Sequence, residues 1–232
     1  MQAGADLAAV ARLIANRPRA AMLDRLLDGA AHPAGDLARE AAIAPSTASA
    51  HLADLMDGGL VAVERVGRQR RYRLAGPEVA QVLESLASIA PALPRSSLKQ
   101  VTAADQLRQG RTCYDHLAGR LGVAVTEALV RRRALTLTDG VFSLTERGSQ
   151  LLGGLGVDVT SARSRRRVFA AGCLDWTERR LHLAGALGAV ITERFFELGW
   201  IRRRPGGRSV SITPSGQAEL RAHLGVEPEG RR

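Results

Sequence analysis

Apolar residues in the first third of the chain recur at helical spacing, punctuated by proline and glycine. Leu7, Val10, Ala11 and Ile14 share one face of a first helix. Pro18 sits at a first-turn position ahead of Met22, Leu23, Leu26 and Leu27, where proline sacrifices no hydrogen bond. Asp28-Gly29 stops this second helix, Pro33 to Ala42 supplies a third, and Pro45 opens a fourth that ends at Gly58-Gly59. The period then changes to two. Val61 to Arg65 and Arg70 to Leu74 read as strands around Gly67-Arg68-Gln69, with Tyr72 and Leu74 on the alternation. Pro77 opens another helix, whose Val79, Val82, Leu83 and Leu86 form an apolar stripe for which a second copy of the chain is the expected cover. The fold class is mainly α with short β-hairpins.

The fourth helix and the hairpin after it define a candidate binding surface. Ala48, Leu52, Leu55 and Met56 form its packing face and leave Ser46, Thr47, Ser49, Ala50 and His51 largely on the other side. Small hydroxyl and imidazole groups on such a face can reach base edges in a major groove without steric clash or charge repulsion. The hairpin carries Arg65, Arg68, Arg70, Arg71 and Arg73, which can neutralise phosphates or enter a minor groove. Helix, turn, helix and basic wing together point to binding of double-stranded DNA.

The run Leu-Ala-Arg-Glu-Ala-Ala-Ile-Ala-Pro-Ser-Thr-Ala-Ser-Ala-His-Leu, ending at Leu52, and the Gly-Leu-Val entry to the wing resemble the bacterial ArsR/SmtB regulators over about residues 8–90. The resemblance implies a winged-helix homodimer that represses transcription from an operator and is released by an inducer. It puts Ser46, Thr47, Ser49 and His51 on the recognition helix, beside the wing arginines Arg65, Arg68, Arg70 and Arg71 already read from the hairpin. It does not extend to that family's usual metal sites. Ala31 to Asp36 lacks the cysteine motif, Pro77 to Ala90 lacks the Asp and His pairs, and His32 reads as a solvated loop residue.

Pro91 to Ser97 combines two prolines with polar residues, which places a DNA-binding and dimerisation domain at 1–92, a linker at 93–98 and an effector or oligomerisation domain at 99–232. The last of these is an internal duplication, with repeats at about 111–154 and 173–224. His116-Leu-Ala-Gly-Arg-Leu-Gly122 matches His182-Leu-Ala-Gly-Ala-Leu-Gly188, and Phe142-Ser-Leu-Thr145 matches Val210-Ser-Ile-Thr213. Each repeat reads as helix, helix, hairpin, helix, a degenerate winged-helix-like unit. Ala189 to Glu197 falls about five residues short of its counterpart in the reader, over a turn of helix at about 1.5 Å per residue, and carries Phe195 and Phe196 where polar groups belong. Arg202 to Arg204 and Arg208 are left as an auxiliary phosphate contact or a solvated face.

Cys113 and His116, three apart, would share one face of a continuous helix, and the second repeat brings Cys173, Asp175, Trp176 and His182. Thiolate with imidazole selects zinc or another thiophilic ion. The alternatives are a small organic inducer, held by Tyr114, Trp176 and Trp200, and a purely structural use in which Asp175 and Glu178 cap a helix.

Composition narrows this reading. The 33 Lys+Arg against 23 Asp+Glu give +10, which favours a polyanionic partner, and Lys99 is the only lysine. Arginine-rich charge suits phosphate forks and is equally what a GC-rich genome writes. No run approaches about 18 apolar residues and Met1 to Asp6 is no signal peptide, so the expectation is a cytoplasmic chain with reduced thiols and no membrane partner. Leu152-Gly-Gly-Leu-Gly156 is neither a phosphate loop nor a dinucleotide fingerprint, so an enzyme is not expected. The rival to a regulated repressor is a constitutive architectural DNA binder whose second half only oligomerises or docks a partner.

Overall fold

The computed structural model describes residues 4–91, 97–205 and 207–227. The chain divides into two compact units, 1–83 and 84–232. The first begins with α1 (Leu7–Ile14) and α2 (Arg17–Leu26), whose first free amides bond to the side chains of Asp6 and Asn16. A two-residue strand β1 (His32–Pro33) leads into α3 (Ala34–Glu40) and α4 (Pro45–Asp57), followed by β2 (Val61–Val66) and β3 (Gln69–Leu74). The sheet order is β1-β3-β2, with Val66 paired to Gln69, so Gly67 and Arg68 alone make the turn. Gly67 takes φ +62, which glycine adopts without the steric cost of a side chain. Met22, Leu23, Leu26, Leu37, Leu52, Leu55 and Leu74 are buried together as the core. This is a winged helix-turn-helix.

His32 is not a solvated loop residue. It is 9% exposed, and its Nε2 lies 2.9 and 3.0 Å from the carboxylate oxygens of Asp28, whose Oδ1 also accepts from the Ala30 amide at 2.8 Å. Pairing of His32 with Tyr72 across β1 and β3 pulls the loop onto the sheet, which local sequence does not announce.

Helix α5 (Pro77–Ile89) carries the unit boundary, and α6 (Leu98–Gln109) follows, capped by Ser97. The expected linker falls mostly on residues 92–96, outside those described. The first repeat comprises β4 (Arg111–Cys113), β5 (His116–Ala118), α7 (Gly119–Arg131), β6 (Leu135–Thr138), β7 (Val141–Leu144) and α8 (Glu146–Gly154). After α9 (Val159–Ser164), the second comprises β8 (Ala171–Leu174), β9 (Leu181–Ala184), α10 (Gly185–Glu197), β10 (Ile201–Arg203), β11 (Val210–Ile212) and α11 (Pro214–Leu224). Thr145 and Thr213 cap α8 and α11 through the amides of Gly148 and Gly216.

Each repeat is therefore hairpin, helix, hairpin, helix, and the expected first helix is a hairpin. Nor is the second repeat's helix short, since α10 and α4 both have 13 residues. What α10 lacks is a free face. Gly185 to Thr192 and Phe195 are all buried, inside a core shared with Leu121, Leu129, Leu135 and Trp200.

Candidate functional sites

In the first unit, α4 buries Ala48, Leu52 and Leu55, while Ser46, Thr47 and Ser49 are exposed and His51 is half-exposed. The Ser49 hydroxyl donates to the Pro45 carbonyl at 3.0 Å. Arg65, Arg68 and Arg70 are exposed at the hairpin end, and the Arg70 guanidinium lies 5.7 Å from the Tyr72 ring centroid. Arg71 differs from them. It is half-buried and donates to the Ala31 carbonyl at 3.4 Å, on the β1 side of the sheet.

In the second unit, the two copies bring their cysteines and histidines together. Cys113 pairs with His116 across β4 and β5, and Cys173 with His182 across β8 and β9. The i, i+3 spacing in the first repeat is thus spent on a turn, in which Tyr114 takes φ +61, and not on a helix. One donor atom from each of the four residues lies within 4.8 Å of the other three, and the two imidazoles stack with centroids 5.1 Å apart. All four are buried, from His182 at 0% to His116 at 7% exposed. Helix starts close over them reciprocally: a Cβ on Gly122 would lie 3.8 Å from the His182 Cβ, and one on Gly188 would lie 3.2 Å from the His116 Cβ. The same added atoms would meet the Leu117 and Leu183 carbonyl oxygens at 2.3 and 2.5 Å, so both positions demand glycine.

Two carboxylates back this cluster. Asp115 Oδ1 is 3.3 Å from His116 Nδ1, and Asp115 is held in turn by Arg167. Asp175 Oδ2 is 3.8 Å from His182 Nδ1 and accepts from Arg111 at 3.0 Å. The other oxygen of Asp175 accepts from the amides of Thr177 and Glu178, an Asx turn closing the β8–β9 loop where a helix cap was expected. Arg111 is fully buried, also reaches Glu84 at 3.4 Å, and stacks 4.9 Å from the Trp176 ring centroid. Glu84 binds Arg208 as well, so Arg208 is not a phosphate contact in waiting. Asp115, Arg111 and Glu84 are site residues that the sequence does not single out. A signal for Asp115 is present all the same, in Cys113-Tyr-Asp115 repeated as Cys173-Leu-Asp175.

The electrostatics of the cluster follow from burial. Its hydrogen bond to Cys173 and its desolvation push the Cys113 thiol well above its ordinary value. Burial, with His116 alongside, pushes His182 well below the usual imidazole range. For His116, burial opposes the charge and is outweighed by its anionic neighbours, to about 9. The neighbours that raise it are Cys113 first and then Asp115. Burial also works against the Asp175 carboxylate, but Arg111 prevails and holds it at about 2.

Trp200 packs against Phe195 and His223 with ring centroids 5.1 and 5.8 Å away, as a core anchor. A groove of about 780 Å³ lies beside α6 and α7, lined by Asp105, Arg120, Glu127, Glu178, Arg180 and Arg204 among others. None of Tyr114, Trp176 or Trp200 lines it.

A helix with an apolar inner face and a short polar outer face, beside a basic hairpin, defines the class of winged helix-turn-helix DNA-binding proteins. Residues 14–64 match the family model described as a helix-turn-helix domain. The chain is 42% identical over 222 residues to the uncharacterized HTH-type transcriptional regulator YdfF of Bacillus subtilis, covering 96% of this chain and 98% of that one. It is 39% identical over 83 residues to the HTH-type transcriptional regulator CmtR of Mycobacterium tuberculosis, covering 36% of this chain and 70% of the relative. The NMR structure of the cadmium metal-sensor CMTR from Mycobacterium tuberculosis covers 39% of this chain and 94% of its own, at 36% identity and a TM-score of 0.33. This chain belongs to the ArsR/SmtB-like helix-turn-helix transcriptional regulators. Among the described residues, no helix is long and apolar enough to cross a membrane.

Proposed function

We propose that the protein is a homodimeric repressor that reads a palindromic operator with α4 and its wing, and that its second half senses the inducer that releases it. One observation carries the reading: α4 exposes Ser46, Thr47 and Ser49 beside a hairpin whose Arg65, Arg68 and Arg70 are all exposed. Ser46, Thr47, Ser49 and His51 reach base edges, while the wing arginines, Arg71 with the smallest share, hold phosphates. Val82, Leu86 and Ile89, at i, i+4 and i+7 on α5, are 49, 40 and 78% exposed, an uncovered apolar stripe that a second copy would bury. Residues 1–92 then serve as the DNA-binding and dimerisation domain and 99–232 as the effector domain. Two-fold symmetry sets half-sites about 10 bp apart or a multiple of it.

Titration of the purified protein onto DNA from upstream of its own gene tests this. Specific retention that falls steeply with salt is the expected result. Binding no tighter than to unrelated sequence would rule the operator reading out.

A further inference from the structure

We propose that Cys113, His116, Cys173 and His182 form a closed tetrahedral site for one thiophilic divalent cation, with zinc as the ordinary occupant. The donor set is the first reason. Two sulfurs and two imidazole nitrogens select zinc or a softer ion over magnesium and calcium, which take oxygen ligands.

Geometry is the second reason. Bond lengths of about 2.3 Å to sulfur and 2.0–2.1 Å to nitrogen put the donors of a tetrahedral zinc about 3.3–3.8 Å apart. The four donors here all lie within 4.8 Å of one another, so closing on an ion takes small rotations of side chains already gathered. The hairpins supply one cysteine and one histidine each, as directly paired cross-strand neighbours.

The third reason is the state of the nitrogens. His116 Nε2 and both ring nitrogens of His182 are buried without a hydrogen-bond partner. Buried polar atoms are almost always satisfied, and orphaned imidazole nitrogens converging on two thiols are the pattern of a cation site. A disulfide between Cys113 and Cys173 would satisfy none of them.

The surroundings fit as well. Asp115 and Asp175 each follow a cysteine by two residues and lie 3.3 and 3.8 Å from a histidine Nδ1, which assigns Nε2 to the ion in this proposal. A carboxylate behind a ligating imidazole fixes its tautomer and orientation. Arg167 and Arg111 hold these carboxylates in place. The two thiols and the His116 imidazolium release their protons to solvent as the ion binds, so the doubly charged cation, two thiolates and two neutral imidazoles form a neutral unit, which a buried site tolerates. All four ligands come from the protein and none is more than 7% exposed, so no position is left open for a substrate.

Titration of cobalt(II) into the reduced, metal-stripped full-length protein, followed by zinc, is the test. The expected result is the visible spectrum of tetrahedral cobalt with a thiolate charge-transfer band, saturating at about one ion per chain and abolished by zinc. Cys113→Ser and Cys173→Ser should each lose about half of the charge-transfer intensity, since each removes one of two thiolates. Asp115→Asn should keep the band positions and weaken affinity about 10–100-fold. An octahedral cobalt spectrum, or serine variants that bind like the parent, would overturn the proposal. Should the serine variants fail to fold, X-ray absorption of the zinc-loaded intact protein decides. Two sulfur neighbours at about 2.3 Å and two nitrogens at about 2.0–2.1 Å are expected, and a first shell of oxygen alone contradicts the site. Operator binding, measured on the same preparation, separates this from the DNA reading: either can fail while the other stands.

Discussion

Helices α4 and α10 have the same length and both run through a glycine-containing turn into a hairpin, yet they do opposite things. The first buries three residues, Ala48, Leu52 and Leu55, and keeps small polar groups outside. The second buries nine, including Gly185, Gly188 and Thr192, and its threonine turns inward to donate to the Gly188 carbonyl at 2.8 Å. In the first unit a helix, α3, precedes the reader and leaves its far side open. In the second, the β8–β9 hairpin takes that place, and α10 packs into a shared core with the other repeat. Burial, and not helix length, separates a helix with a free polar face from one enclosed in a core.

The largest expected effect lies in the second unit. Arg111→Met takes from the buried Asp175 carboxylate its arginine partner and leaves Glu84 with Arg208 alone, and breaking a buried pair from one side costs about 3–5 kcal/mol. Urea unfolding should show that loss; a change near zero would mean the network does not hold this unit together.

A smaller effect is expected in the first unit, at Asp28. Burial raises its pKa, but the hydrogen bonds from His32 and Ala30 outweigh this and leave it lowered. A folded pKa below the unfolded value means stability is present in full above the unfolded value near 3.9 and is lost as pH falls through the folded one. His32→Ala should cost about 1.5–3 kcal/mol at neutral pH, the worth of a hydrogen bond to a charged group, with the gap to the parent narrowing in acid. Parallel stability curves from neutral to acid pH would contradict this.

The reader and its wing are legible in the sequence because their signals are local: a 3.6-residue period, prolines at first turns, and a switch to alternation at Val61. The duplication is legible too, from the repeated His-Leu-Ala-Gly run. The hairpins around Cys113 and Cys173 are not. Strands of three or four residues carry too little alternation to outweigh the helical content that follows, and pairing with a distant partner decides them. The spacing of Cys113 and His116 suggests neighbours on a helix, whereas a β-turn delivers them to the same cluster. Arg111 reads as a surface charge until Asp175, far along the chain, is folded against it.

The central contrast is tested most directly by charge removal on each of the two hairpins, with operator affinity followed against salt. Arg65→Ala, Arg68→Ala and Arg70→Ala together should flatten the salt slope by about 0.9 for each phosphate no longer neutralised, while Arg202→Ala with Arg203→Ala on the β10–β11 hairpin should leave slope and affinity as they were. A slope that stays with the first set and drops with the second would place the DNA on the wrong half of the molecule.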